Sequence, residues 1–358
     1  MAIAAQATIY RGRGISILPL VSAYKGKVLF VTELSGQGDE GMRNWIKMAD
    51  RALVGRGCQA EVVRLDGDPR WSSLLPGNLR SMRRTAPDVL VYVPYSGLTS
   101  KALLRHMALR AATVPQLDVL VALQADSMVR RLPRKLAPTL GAFASERLRS
   151  AHREIAHDSC VLPPAVNSGR FCPSNDSRSA IREQLGLAND KPMALHVGHL
   201  RRSRGLEPLA ELAASGTVNV VLVASTATEP EVEVVTRLRE AGVLIKRKFL
   251  PQVERWYQAA DVYLFPVTDL QGSIEIPLTV LEAMACGTPV ATAPFGGLPS
   301  FFASTGSLRF APSARLAETA KEMIDVDGLP NRAVVEGMNE DAFADVLEGE
   351  IIRAGVHA

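Results

Sequence analysis

The chain has 358 residues, of which 47% are hydrophobic and 22% charged, a balance that buries a core and excludes wholesale disorder. At roughly 100–200 residues per domain, it holds about two domains, and no apolar run reaches the ~18 residues of a spanning helix. The net charge of +4 divides unevenly: residues 1–160 carry 23 Lys/Arg against 13 Asp/Glu, and residues 161–358 carry 18 against 24. A basic half joined to an acidic half suggests two domains with different partners.

In chain order, residues 1–24 read as an extension. Arg11 and Arg13 precede an apolar stretch, but Pro19 interrupts it and no A-x-A site follows, so it is not read as a targeting signal. Apolar, β-rich runs then come at Val28–Val31, Ala60–Val63, Val89–Val93 and Val119–Ala122, with helical periodicity over Met42–Val54 and Ser100–Ala111. Runs apolar on both faces suit a parallel sheet covered by helices. Residues 172–179 are polar and turn-rich, and a short helix is expected over Ala180–Leu187. The series resumes at Met193–Val197, Val218–Val223, Val262–Phe265 and Pro289–Thr292. The expected fold is α/β, with two doubly wound Rossmann-like units. Their bounds are 1–172 and 191–335, with a linker at 173–190 and a C-terminal helix at 336–358 that packs back on the first unit.

Cys58, Cys160, Cys172 and Cys286 are too far apart for a zinc ribbon, a thioredoxin-like site or a disulfide scaffold. They are expected to be buried, and free thiols suit a cytoplasmic location. His196, inside an apolar strand, reads as a satisfied structural histidine; His106, His152 and His157 read as surface residues.

Residues 273–300 carry the most chemistry. Pro277 suits the first turn of a helix, Leu278, Leu281 and Ala285 recur at helical spacing, and Gly287 suits a left-handed cap. The helix start, around Glu275, Ile276, Pro277 and Leu278, offers unpaired N–H groups to an anion. Glu282, one turn on, is within reach of a polyol beside that anion. A second piece, Leu195–Leu206, reads as strand, glycine turn and basic loop. Gly198 permits close backbone approach to a phosphate, and His199 and Arg204 can neutralise a diphosphate.

These residues resemble glycosyltransferase family 4, the retaining enzymes of GT-B fold. Leu281–Val290 is similar to the family's L-E-A-M-A-x-G-x-P-V, and Gly198–Gly205 to its G-R-L-x-x-x-K-G. Val161–Pro173 resembles its domain-boundary pattern, and Trp256–Val262 the segment before its proline, here Pro266. Ser35–Gly41 resembles the glycine loop that follows the first strand.

The resemblance implies two domains facing each other across a cleft, and hexosyl transfer from a nucleotide-diphosphate-sugar to a glycan or glycolipid acceptor with retention of configuration. Glu282 would hold the donor ribose, with His199 and Arg204 at the diphosphate and Glu275 at the sugar. Gly36, Gly38, Gln124 and Asp126 would face the acceptor. No cofactor and no essential metal are expected. The sequence also departs from the pattern: eight residues before Glu282 stands Ile274, and Glu275 is one position late.

Two rival readings are a non-catalytic nucleotide-binding or scaffold protein, motivated by that shift and by Gln124, and an NAD-dependent oxidoreductase, for which Asp66 falls late. The clusters Arg80, Arg83, Arg84 and Arg130, Arg131, Arg134, Lys135 suit either a solvated face or docking on the anionic inner leaflet of a membrane. Nucleic acid is not an expected partner, since aromatics are only 5% of the chain and none interleave with these clusters.

Overall fold

The computed structural model describes residues 24–32, 41–64, 76–94, 97–124, 129, 132–162, 164–226 and 228–356. Close contacts divide the chain into two compact units. The first runs to Ala165 and takes in the C-terminal segment from Glu340; the second is Val166–Asn339.

The first unit is built on strands β1 (Lys27–Thr32), β2 (Gln59–Arg64), β3 (Val89–Val93), β4 (Leu117–Ala122), β5 (Leu140–Phe143) and β6 (Asp158–Val161), in the order β2-β1-β3-β4-β5-β6. The second holds β7 (Met193–Gly198), β8 (Asn219–Ala224), β9 (Leu244–Lys246), β10 (Val262–Phe265), β11 (Val290–Thr292) and β12 (Leu308–Phe310), in the order β12-β11-β10-β7-β8-β9. Every neighbouring pair is parallel. Parallel strands need crossovers, and helices supply them, which explains the two-sided apolar runs. In each sheet the strand order reverses once, between β1 and β3 and between β7 and β10. Ligands of open α/β sheets bind outside the carboxyl ends at such a switch point.

Four strands escaped the sequence reading. β6, β9 and β12 are sheet edges, so they lack the two-sided apolar pattern, and Leu244 of β9 is exposed. β5, Leu-Gly-Ala-Phe, is interior but only four residues long, with its two small residues at the centre. Gly141 is needed there, because a Cβ would stand 2.9 Å from the Phe143 ring.

The helix Glu340–Arg353 is bound to the first unit by charge and by packing. Arg51 Nη2 donates to Glu340 at 2.6 Å, Arg56 Nη1 donates to Asp345 at 2.5 Å and to Glu348 at 3.3 Å, and Phe343 meets Trp45 edge-on at 5.3 Å. The polar segment 173–190 packs with the second unit. Its helix Arg178–Gln184 buries Ile181 and Arg182, and Arg182 Nε donates to Ala259 O at 3.0 Å.

His106 corrects its surface reading. It is fully buried, with Nε2 2.7 Å from Asp118 Oδ2, and so tethers the helix Ser100–Thr113 to β4. His157 is exposed and His152 half-buried. Cys58, Cys160 and Cys286 are buried and Cys172 is half-buried. Among the described residues no helix is long and apolar enough to cross a membrane.

Candidate donor site

β7 ends at Gly198, on the switch point of the second sheet. The chain then runs through His199 and Leu200 into a single turn, Arg202–Arg204, closed by Gly205 at φ +58°. Glycine suits that left-handed conformation, and the space is tight as well: a Cβ on Gly205 would stand 3.3 Å from Pro266 O, just past β10. The neighbouring carbonyl of Ser203 is covered by Gly272, whose added Cβ would lie 2.8 Å away. The basic turn is thus laid across the end of β10.

His199 Nδ1 lies 2.7 Å from Thr228 Oγ1. Burial, then Arg204 and Arg201, push its pKa down to about 4. The imidazole is therefore neutral at pH 7, because burial and the neighbouring guanidiniums disfavour a third cation. Arg204 keeps its place at the turn, half-buried.

The second element is the helix Leu278–Ala285. Pro277 stands one position earlier than expected: it is the cap residue, at φ −64° and ψ 121°, and makes no side-chain cap bond. Val280 N donates to Pro277 O at 3.1 Å, which leaves the N–H groups of Leu278 and Thr279 as the ones with no acceptor within the helix. Gly287 closes the far end at φ +71°. The preceding loop is held from beneath. Gly297 N donates to Glu275 O at 3.1 Å, and a Cβ on Gly296 would stand 2.4 Å from that same carbonyl. Glu275 is 3% exposed and Ile276 fully buried.

Glu282 is 8% exposed and accepts a 2.8 Å hydrogen bond from the Tyr257 hydroxyl. Burial, then the Glu282 charge, push the Tyr257 phenol well up, so it stays a donor. Tyr263 of β10 joins the two elements, lying within electrostatic reach of both Glu282 and Arg204. The loop that carries Gly198, His199 and Arg204 follows β7 and the loop that carries Glu275–Leu278 follows β10, so both leave the sheet at the carboxyl ends of its two switch-point strands.

Tyr257, Thr228 and Gly296 were not singled out in the sequence, since each acts only through a partner distant in the chain. His196 was read as satisfied and is only half so. Its Nδ1 lies 2.9 Å from Leu264 O, while its buried Nε2 has no partner among the described residues.

Of the four residues expected at the acceptor, Gln124 is among those described. Gly36, Gly38 and Asp126 lie outside the described residues. Gln124, at the end of β4, accepts from Leu98 N at 2.7 Å and packs against Gly97, at φ +70°. Of the basic clusters, Arg80, Arg83, Arg84, Arg134 and Lys135 are exposed, and Arg130 and Arg131 lie outside the described residues.

Two six-stranded, parallel, doubly wound α/β units give the chain a GT-B architecture. Residues 191–326, which lie in the second unit, match the family described as Glycosyl transferases group 1. It is 32% identical over 179 residues to the D-inositol 3-phosphate glycosyltransferase of Xylanimonas cellulosilytica, covering 43% of this chain and 42% of that protein. It is 30% identical over 187 residues to the alpha-maltose-1-phosphate synthase of Mycobacterium tuberculosis, covering 46% and 47%. The chain spans under half the length of these curated relatives. Among solved structures, sucrose-phosphate synthase of Thermosynechococcus elongatus superposes with a TM-score of 0.69 at 18% identity, over 92% of this chain and 98% of that one. Anabaena HepE in complex with UDP gives a TM-score of 0.66 at 18% identity, over 91% and 100%. At these identities the structures speak for the fold alone.

Proposed function

We propose that the protein transfers a hexosyl group from a nucleotide-diphosphate-sugar to a glycan or glycolipid acceptor, with retention of anomeric configuration. The observation that carries this reading is that the Gly198 turn with Arg204 and the uncapped start of Leu278–Ala285 follow the two strands of one switch point, with Tyr263 in electrostatic reach of both Arg204 and Glu282. That HepE has been solved with UDP and with UDP-glucose favours a nucleotide-sugar.

Charge accumulates on the diphosphate as its bond to the anomeric carbon breaks. Preorganised donors there lower the barrier: Arg204 and the helix N–H groups supply them, and His199 adds a hydrogen bond. Glu282, oriented by Tyr257, is placed to accept the ribose hydroxyls. Glu275, buried in the loop before the helix, is the group for the donor sugar. The acceptor belongs to the basic first unit. Its exposed arginines at 80, 83 and 84 suit a lipid-linked acceptor at an anionic membrane surface.

A thermal-shift panel of nucleotide-sugars tests the donor. A well-bound ligand stabilises by about 2.7 kcal/mol at a hundred times its Kd. Transfer with the identified donor then tests the reaction, and binding without transfer or hydrolysis favours the scaffold reading that the late position of Glu275 motivates.

A further inference from the structure

The unexplained group in the second unit is His196. It is fully buried on β7, two residues before Gly198. Residues i and i+2 of a strand share a face, so the ring leans over the position that a side chain at 198 would occupy. A Cβ on Gly198 would stand 2.6 Å from His196 Nε2. The other nitrogen, Nδ1, faces Leu264 O at 2.9 Å. A carbonyl only accepts, so Nδ1 carries the ring proton and Nε2 presents a bare lone pair beneath the glycine turn. That nitrogen is buried and has no partner among the described residues, and a buried polar atom left in this state requires a reason.

We propose that His196 is a further binding residue of the anion site, and that with His199 it supplies positive charge to a bound diphosphate by taking up a proton as the ligand arrives. The inference rests on the donor site proposed above. The groups around the two rings are few. On β10, Tyr263 stacks on His196 at 6.3 Å and Phe265 lies at 6.4 Å, and beyond Tyr263 stands Glu282. The loop after β7 brings Arg204 toward both histidines and Arg201 toward His199. The loop after β8 brings the Thr228 hydroxyl, which can donate to His199 or accept from it.

Both rings are neutral at pH 7, their pKa values held down to about 4 by burial first and then by neighbouring positive charge. A diphosphate reverses the second cause and offsets the first. Proton uptake then turns Nε2 of His196 from an unpaired acceptor into a donor directed at the turn. Positive charge thus gathers around one glycine together with the anion that balances it.

Calorimetric titration of UDP-glucose and GDP-mannose onto the full chain, in buffers of different protonation enthalpy, reads the uptake directly. A diphosphate esterified at both ends has no proton of its own to gain near neutral pH. The expected result is net uptake that grows from about pH 8 to about pH 5.5, with affinity tightening up to tenfold per pH unit for each proton taken up. His196→Asn keeps an N–H for Leu264 O and lacks Nε2; it should reduce the uptake, and His199→Gln should remove much of the remainder. If His196→Asn fails to fold, imidazole NMR shifts of the wild-type chain with and without ligand report the same protonation. Binding with no uptake at any pH, uptake unchanged in His196→Asn, or ring shifts that ignore the ligand would overturn the inference and leave the donor site standing. If neither nucleotide-sugar binds, the donor reading falls and this inference with it.

Discussion

The Tyr257 hydroxyl donates a 2.8 Å hydrogen bond to Glu282 Oε2, joining the helix Glu254–Ala259 to the helix Leu278–Ala285. Because both groups are buried, the bond fixes where the carboxylate points. Tyr257→Phe deprives a buried acid of a donor and should cost about 1–3 kcal/mol in urea unfolding. Nucleotide-sugar affinity should fall severalfold with little change in turnover at saturating donor, which steady-state kinetics separate as KM against kcat.

Arg204 and Glu282 are assigned different tasks, and their variants should differ accordingly. Arg204→Ala removes charge from the leaving group and should lower turnover by about 100-fold or more. Glu282→Ala should act chiefly on donor affinity. Circular dichroism should show the fold kept in both. Near-wild-type transfer by the pair of variants rules out the donor-site assignment.

Gly296 supports the loop that carries Glu275. At φ +51°, with a Cβ position only 2.4 Å from Glu275 O, alanine there is strained and sterically excluded. Gly296→Ala should cost about 1–3 kcal/mol and displace Glu275, so donor-sugar discrimination should weaken before nucleotide binding does. Comparing Kd for the nucleotide-sugar with Kd for the free nucleotide checks this order.

Acid should destabilise the protein in two steps. Unfolded histidines take up protons near 6.5, whereas His196 and His199 resist until about 4. Between those values the unfolded chain binds more protons, so stability is whole above about pH 6.5 and falls toward pH 4. Asp118 acts lower. Burial alone would raise its pKa, but bonds from His106 and Thr139 overcome this and hold it at about 2. Its contribution is complete above the ordinary carboxylate range and is lost as the pH falls toward 2. Urea midpoints at pH 7, 5 and 4 should fall in that order, and less steeply in His196→Asn.

Arg56 pairs with Asp345 and with Glu348, whose side chain is 1% exposed. Arg56→Ala leaves that carboxylate buried without its cation and should cost about 3–5 kcal/mol by chemical denaturation. Glu348→Gln in the same chain should restore part of the loss. A loss unaffected by the second change would mean that Arg56 acts through Asp345 alone.

Residues 273–300 and the strands beside them were legible because their chemistry is local. Pro277, Glu282 and Gly287 state a helix, its ends and its charge within eleven positions. Where contact joins distant residues, the sequence was silent. Nothing near Tyr257 announces that its hydroxyl meets Glu282, and nothing near His106 announces Asp118 across the sheet. His106 stood among polar-looking helical neighbours, so periodicity placed it at the surface while a carboxylate on β4 drew it inward. His199 was recognised by position but not by protonation, because its charge depends on Arg204 and on burial, neither of which spacing reveals. The edge strands β6, β9 and β12 were missed because a strand with one neighbour need not be apolar on two faces.

The helix Glu340–Arg353 follows the whole second unit in sequence yet belongs to the first. Chain order and completion order are therefore opposed. During synthesis the second unit has all of its chain while the first still lacks the helix that covers Trp45 and neutralises Arg56. The basic unit begins earlier and is finished later, with its apolar flank and its cation waiting on residues that emerge only after the whole second unit.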